Sequence, residues 1–186
     1  DNSILVLPGA NSQVTPAYVQ QHLDLLEACD YVVFQLEIPL ETVVYAAKEA
    51  SRLGKKVILD PAPAVPGLPE ELLQSLYLIK PNETELSILT GRPHDPARLR
   101  EDALSLQARG VKNVLVTLGG AGSYLLREDG TETRIPADST VKVVDTTAAG
   151  DSYMGALAVA LSQGKDLEEA ARFASRVSDI VVSRPG

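Results

Sequence analysis

Short runs of apolar and β-branched residues alternate with helical patterns along most of this chain, and that alternation restricts the fold more than any motif does. Apolar runs at 4–7, 31–35, 57–59, 77–80 and 113–118 are interleaved with helical patterns at 15–27, 40–53 and 83–90. A strand followed by a helix returns to the sheet parallel to its predecessor. The expected fold is therefore three-layer α/β, a mainly parallel sheet with helices on both faces. Local signals agree. Leu40, Val43, Val44, Ala47 and Leu53 recur at helical spacing, Asp95-Pro96 joins an N-cap to a proline at the first helical position, and Gly54 and Gly110 fall where helices should stop.

After Leu118 the spacing shortens. Runs at 122–126 and 132–135 flank Asp129-Gly130, a hairpin turn, so antiparallel strands are expected at one edge of the sheet. A further strand is expected at 141–144, then helices at 152–163 and 167–182. With no repeat, low-complexity tract or linker, residues 1–186 read as one domain, and the proline-rich stretch from Asp60 to Pro66 reads as a stiff loop inside it.

Composition narrows the ligand. The net charge of −8 and the lack of a Lys/Arg cluster argue against nucleic acid or an anionic membrane, which leaves a small molecule as the expected partner. With 45% hydrophobic residues the chain can bury a substantial core. The single cysteine, Cys29, cannot close an internal disulfide; it reads as a small core residue and points to a reducing cytoplasm. No apolar run approaches the ~20 residues of a membrane span. The chain opens on Asp1 and reads as a piece of something longer.

Open parallel sheets bind ligands beyond the carboxyl ends of their strands, where Asn11, Glu37, Asp60, Asn82, Gly119 and Asp145 fall. The densest segment there is Val144-Asp145-Thr146-Thr147-Ala148-Ala149-Gly150-Asp151, small residues between two aspartates just before an expected helix. It aims backbone N–H groups and a helix N-terminus at one point with a carboxylate beside them, which suits an anion. If that anion is a transferring phosphoryl group, Asp151 takes a proton from the attacking hydroxyl. The plainer alternative is that Asp151 caps the helix and Gly150 eases a turn.

The other candidates also have two readings each. Asn82 and Glu85 form a capping box at a helix start, or Asn82 faces phosphate oxygens while Glu85, directly or through water, orients Mg²⁺ on a nucleotide. Thr117-Leu118-Gly119-Gly120-Ala121-Gly122 is a glycine-rich turn or a side-chain-poor nucleotide surface, and it fits neither the dinucleotide nor the P-loop spacing. Glu37, stiffened by Pro39, is a solvated loop acid or an acceptor for a polyol. His22 and His94 match no metal or triad spacing and read as surface residues.

Asp145-Thr146-Thr147-Ala148-Ala149-Gly150-Asp151 resembles the C-terminal signature of the ribokinase family of sugar and nucleoside kinases, and Lys80-Pro81-Asn82-Glu83-Thr84-Glu85 resembles its N-x-x-E motif. Val116-Thr117-Leu118-Gly119, with Gly122, sits where that family holds its nucleotide. The resemblance covers essentially the whole chain. Pro8-Gly9-Ala10-Asn11, Gln35-Leu36-Glu37-Ile38-Pro39 and Pro61-Ala62-Pro63-Ala64 look most like the ribose kinases of the family.

The resemblance implies an ATP-dependent kinase acting on the 5-hydroxyl of D-ribose, with a fructose or nucleoside kinase, or a nucleotide-binding fragment without turnover, as alternatives. Asp151 would be the base, the backbone of Ala148, Ala149, Gly150 and Asp151 the anion hole, and Glu37 a sugar ligand. Asn82, Thr117, Gly119, Gly122 and Ser175 would line the ATP site, and Glu85 would act on Mg²⁺. Asp145 and Thr147 look like ligands of an activating K⁺, completed by backbone oxygens near Val181, Arg184 and Gly186. Arg176 and Asp179 stand where the family has small apolar residues. The family pattern also implies that the domain is incomplete before Asp1 and after Gly186, that the missing part carries a sugar-binding aspartate and a lid, and that the full-length protein is a cytoplasmic homodimer joined through that lid.

Overall fold

In the computed structural model, which describes residues 6–185, the alternation produces one six-stranded sheet. Its strands are β1 (Tyr31–Phe34), β2 (Lys56–Leu59), β3 (Leu78–Ile79), β4 (Asn113–Thr117), β5 (Ser123–Leu126) and β6 (Glu132–Ile135), side by side in that order. The first four run parallel; β5 pairs antiparallel with β4, and β6 antiparallel with β5. The helices are α1 (Pro16–Gln20), α2 (Leu23–Glu27), α3 (Leu40–Arg52), α4 (Glu70–Leu73), α5 (Glu83–Thr90), α6 (Leu99–Ala108), α7 (Ala149–Ser162) and α8 (Leu167–Val182).

The two-residue period of the strands divides the core. Val57, Leu59, Ile79, Val114 and Val116 face a layer from α3 to α6, where they meet Val43, Ala47, Leu72, Leu86 and Leu106. Ile58, Leu78, Leu115 and Leu125 face α7 and α8, and meet Tyr153, Met154, Leu157 and Ala171. Because both faces are covered, the inner strands are apolar without alternation, as fully buried parallel strands are. Each such aliphatic side chain contributes roughly 1.5–3 kcal/mol by leaving water.

Several helix boundaries follow from local chemistry. Asn82 and Glu85 close a capping box at the start of α5, which Gly91 ends in a left-handed conformation at φ 69°. A second box, Asp166 with Glu169, opens α8. Asp95 accepts from Ala97 N at 3.0 Å and leads into α6 through a short 3₁₀ turn, Pro96–Arg98.

Several expectations need correction. The strand at 141–144 does not form: the amides of Val144 and Asp145 both donate to the Val182 carbonyl, and that of Val141 to Asp138, so none enters a ladder. Without a strand edge to pair with, the β-branched run stays exposed, Val143 at 58% and Val144 at 55%. The helix expected from 152 begins earlier, at Ala149. The helix expected over 15–27 is broken at Gln21-His22 into α1 and α2. Cys29 is exposed rather than in the core, its thiol donating to the Leu25 carbonyl. Of the strand expected at 4–7, Ile4 and Leu5 lie outside the described residues, while Val6 and Leu7 are exposed coil. No helix among the described residues is long and apolar enough to cross a membrane.

Candidate active site

Strand register decides which residues meet at the carboxyl edge of the sheet. Phe34 pairs with Leu59 and Leu59 with Ile79, so Gln35, Asp60 and Lys80 come next to one another just past the last paired positions. The backbone ties Asp60 N to Phe34 O and Lys80 N to Leu59 O, both at 2.9 Å. By the period of two, Asp60 and Lys80 turn to the side of Ile58 and Leu78, the side covered by α7. Lys80 Nζ lies 3.3 Å from Asp60 Oδ2, each side chain at most 4% exposed, and 6.0 Å from the centre of the Tyr153 ring.

The next positions carry the nucleotide candidates. Asn82 bridges to Thr117 in parallel, and Thr117 N donates to Pro81 O at 3.0 Å. The capping box is realised in full: Asn82 Oδ1 accepts from Glu85 N and Glu85 Oε2 from Asn82 N, each at 2.8 Å. Local helix physics thus accounts for one oxygen of each side chain, while Asn82 Nδ2 and Glu85 Oε1 lie outside the box.

The glycine-rich turn has two distinct causes. Gly119 stands at φ 51° with open space where a Cβ would project. Gly122 is required by the protein's own backbone: at φ 89°, a Cβ there would lie 2.0 Å from Ile135 O and 2.7 Å from Ala137 N. Gly122→Ala is expected to lower the melting temperature by several degrees. A left-handed conformation alone costs roughly 1–2 kcal/mol, the clash adds to it, and each kcal/mol is worth about 2–4 °C in a chain of this size. Thermal melts of the variant check this, and an unchanged midpoint would refute it.

Asp151 is not the cap of its helix. The N-cap of α7 is Ala148, with φ 58° and no capping side chain, the one non-glycine residue among the described residues with positive φ. A left-handed residue followed by a right-handed turn aims successive N–H groups to one side. Ala149 N donates to Thr146 O, and the amides of Gly150 and Asp151 belong to a first helical turn, which has no intrahelical acceptors. Asp151 itself accepts from Gln35 Nε2 at 3.1 Å.

These pieces border one cavity of about 400 Å³. It brings together Asn82, Glu85, Thr117, Gly119, Gly122, Ala148, Ala149, Gly150, Asp151 and Ser175. Glu37 is exposed beyond β1, and it, Asp145, Thr147, Val181 and Arg184 are not part of the lining. Gly186 lies outside the described residues. The cavity also contains Gln35, Lys80, Tyr153, Ser178 and Asp179, none of which had been given a role in the chemistry, and Asp60, noted at its strand end without one. A lysine ending the apolar run Tyr77-Leu78-Ile79 was the available signal for the buried pair.

The cavity is rich in carboxylates, and Lys80 is the single cationic side chain among its described lining residues. Burial pushes the Asp60 carboxyl above its ordinary range, with Lys80 the main opposing influence. Burial likewise raises Glu85 against the Asn82 amide, and raises Asp179, with Asp138 adding to the effect. The Tyr153 hydroxyl, which donates to Ala171 O, is pushed up to about 12 by burial and stays neutral at physiological pH.

Hard oxygen donors for cations occur in two places. Glu85 is a carboxylate on the cavity wall with Oε1 outside the capping box, which suits a magnesium ion that keeps most of its waters and arrives on phosphates. Among the described residues there is no cluster of three or more metal-ligating side chains. The second place is outside the cavity. Asp145 Oδ1 accepts from Thr147 N at 2.8 Å and Thr147 Oγ1 at 2.7 Å. The bonds from Val144 N and Asp145 N to Val182 O set this loop against the C-terminal end of α8, the negative end of its dipole. A carboxylate, a hydroxyl and terminal carbonyls there fit a monovalent cation.

Comparison with known proteins agrees with this fold. A family model described as pfkB family carbohydrate kinase matches residues 1–186. The ribokinase of Schizosaccharomyces pombe is 38% identical over 190 residues, covering 100% of this chain and 59% of that protein. A deoxyribokinase of Salmonella typhi is 39% identical over 170 residues, 91% of this chain and 55% of that one. The structure of Arabidopsis thaliana ribokinase complexed with ribose and ATP superposes with a TM-score of 0.90 at 35% identity, over 100% of this chain and 60% of its own. The chain spans about three-fifths of the length of these relatives.

Proposed function

This chain belongs to the pfkB family of carbohydrate kinases, and from that premise we propose that, within a protein the length of its relatives, it transfers the γ-phosphoryl group of ATP to the 5-hydroxyl of D-ribose. One observation carries the reading. The Asp151 carboxylate and the first-turn amides of α7 border the same cavity as Asn82, Thr117 and Gly119, so a base and an anion hole face a nucleotide wall.

In this reaction the sugar oxygen bonds to the γ-phosphorus as the bond from that phosphorus to the β–γ bridging oxygen breaks, and ADP leaves. Asp151 takes the hydroxyl proton. The transition state is loose, so the proton moves late and the placement of Asp151 matters more than its basicity. With the Ala149 amide taken by Thr146 O, the amides of Ala148, Gly150 and Asp151 receive the charge on the γ-phosphoryl oxygens, in a site where such dipoles need no reorganisation. Asn82, Thr117, Gly119, Gly122 and Ser175 hold the nucleotide, and Glu37 reaches the sugar.

Glu85 would hold, through water, a magnesium ion whose charge neutralises the triphosphate. Asp145, Thr147 and the carbonyls near Val181, Arg184 and Gly186 would hold a potassium ion that steadies the anion-hole loop. Asp145→Ala is accordingly expected to remove most of the rate increase on adding K⁺ while ATP affinity is retained; an unchanged potassium response in steady-state assays would exclude that role. The cytoplasm, with ATP and a reduced Cys29, is the compartment this reading implies.

The deciding experiment measures ADP release by the full-length protein with D-ribose, 2-deoxy-D-ribose and D-fructose. D-ribose is expected to have the largest kcat/KM. A larger value for another sugar reassigns the substrate within the family. ATP binding by calorimetry without turnover on any sugar would leave a nucleotide-binding protein instead.

A further inference from the structure

We propose that Gln35 is a positioning residue, whose side-chain amide holds the Asp151 carboxylate in the orientation that receives the sugar proton. The assignment rests on the kinase reading above.

Helix α7 fixes where the backbone of Asp151 stands but not how its carboxylate turns. The terminal torsion of an aspartate is broad, and a first-turn carboxylate is drawn toward helix amides and water. A second contact is needed. Gln35 supplies it from 116 positions away, with Nε2 at 3.1 Å from Asp151 Oδ1. Strand register also sets Asp60 beside Gln35 at the sheet edge. Facing a carboxylate, the amide presents its nitrogen rather than its oxygen.

Gln35 stands beside a buried ion pair. Asp60 and Lys80 are at most 4% exposed and 3.3 Å apart, and consecutive parallel strands hold them beside Gln35. The lysine also solves an electrostatic difficulty, since an unpaired carboxylate at Asp60 would repel an incoming triphosphate. Paired with Lys80, Asp60 presents no net charge to the cavity beside Gln35. The outcome is a directional base: Oδ1 of Asp151 is occupied by Gln35, and Oδ2 is left to the hydroxyl.

The test uses the full-length kinase with D-ribose and ATP. Gln35→Ala, and Gln35→Met as a volume-matched second variant should the first not fold, are expected to lower kcat by about ten- to a hundredfold, the scale of a misplaced reacting group. Both KM values should stay within about twofold, because the contact acts on chemistry rather than binding. The decisive arm repeats the substitution in the Asp151→Asn background, where it should have no further effect on kcat. An unchanged kcat in the single variants, or an equal further drop in that background, overturns the assignment. If the wild type fails to phosphorylate any sugar, the kinase reading falls and the assignment with it; if Asp151→Asn is fully active, the base lies elsewhere and the assignment falls while the kinase reading stands. A normal Asp151 effect with a silent Gln35→Ala refutes the assignment alone.

Discussion

Asp151→Asn is expected to reduce kcat by roughly 10²–10⁴-fold, the range for loss of a general base, while ATP binds as before. The substitution changes little besides proton affinity. Asparagine has nearly the shape of aspartate and keeps an oxygen that can accept from Gln35 Nε2, as Asp151 Oδ1 does at 3.1 Å. The amides of the α7 first turn are backbone groups and survive the change, so the proposed anion hole stays intact. What disappears is the acceptor for the hydroxyl proton. Steady-state rates with D-ribose, together with ATP titration by calorimetry, check both halves. A rate near that of the wild type would show that the base lies elsewhere; loss of ATP binding would show that the carboxylate acts on the nucleotide.

Lys80→Met should have the largest effect on stability, about 3–5 kcal/mol, because it strands a carboxylate in the interior rather than because an ion pair is strong in itself. Asp60 is 3% exposed and Lys80 is the chief influence holding its carboxyl down against burial. Without the lysine, the folded-state pKa of Asp60 rises further above its unfolded value. A group raised on folding contributes its full stability below the unfolded pKa and loses it as pH rises through the folded one. The deficit should therefore be widest near neutral pH and narrow as the pH falls toward about 4, where the unfolded carboxyl is protonated. Urea melts across that interval measure it. Adding Asp60→Asn to Lys80→Met should restore most of the loss, and a deficit independent of pH would show that Asp60 is not the stranded charge.

The motifs were legible because their logic is local. Asn82 and Glu85 are three residues apart on one helix turn, and the box they form is set by that spacing whatever surrounds it. The alternation of strand and helix, the bounds of α5 and α8, and the turn at Asp129-Gly130 follow from contacts within a few residues. The failed strand at 141–144 marks the limit of such inference. Its valines have the right propensity, but a strand needs a neighbour, and the amides of Val144 and Asp145 found the end of α8 instead.

By itself, the sequence determined the α/β architecture, the parallel sheet with its antiparallel edge, and most of the residues that line the cavity, because periodicity, caps and small-residue spacing are short-range physics. Tertiary structure alone decided that Gln35, Asp60 and Lys80 stand abreast, that Gln35 reaches Asp151 across 116 positions, and that Gly122 yields to the backbone at Ile135. Those contacts depend on strand register and on how α7 lies across the sheet. Both are set by the summed burial of two cores, to which no single segment of the chain holds the key.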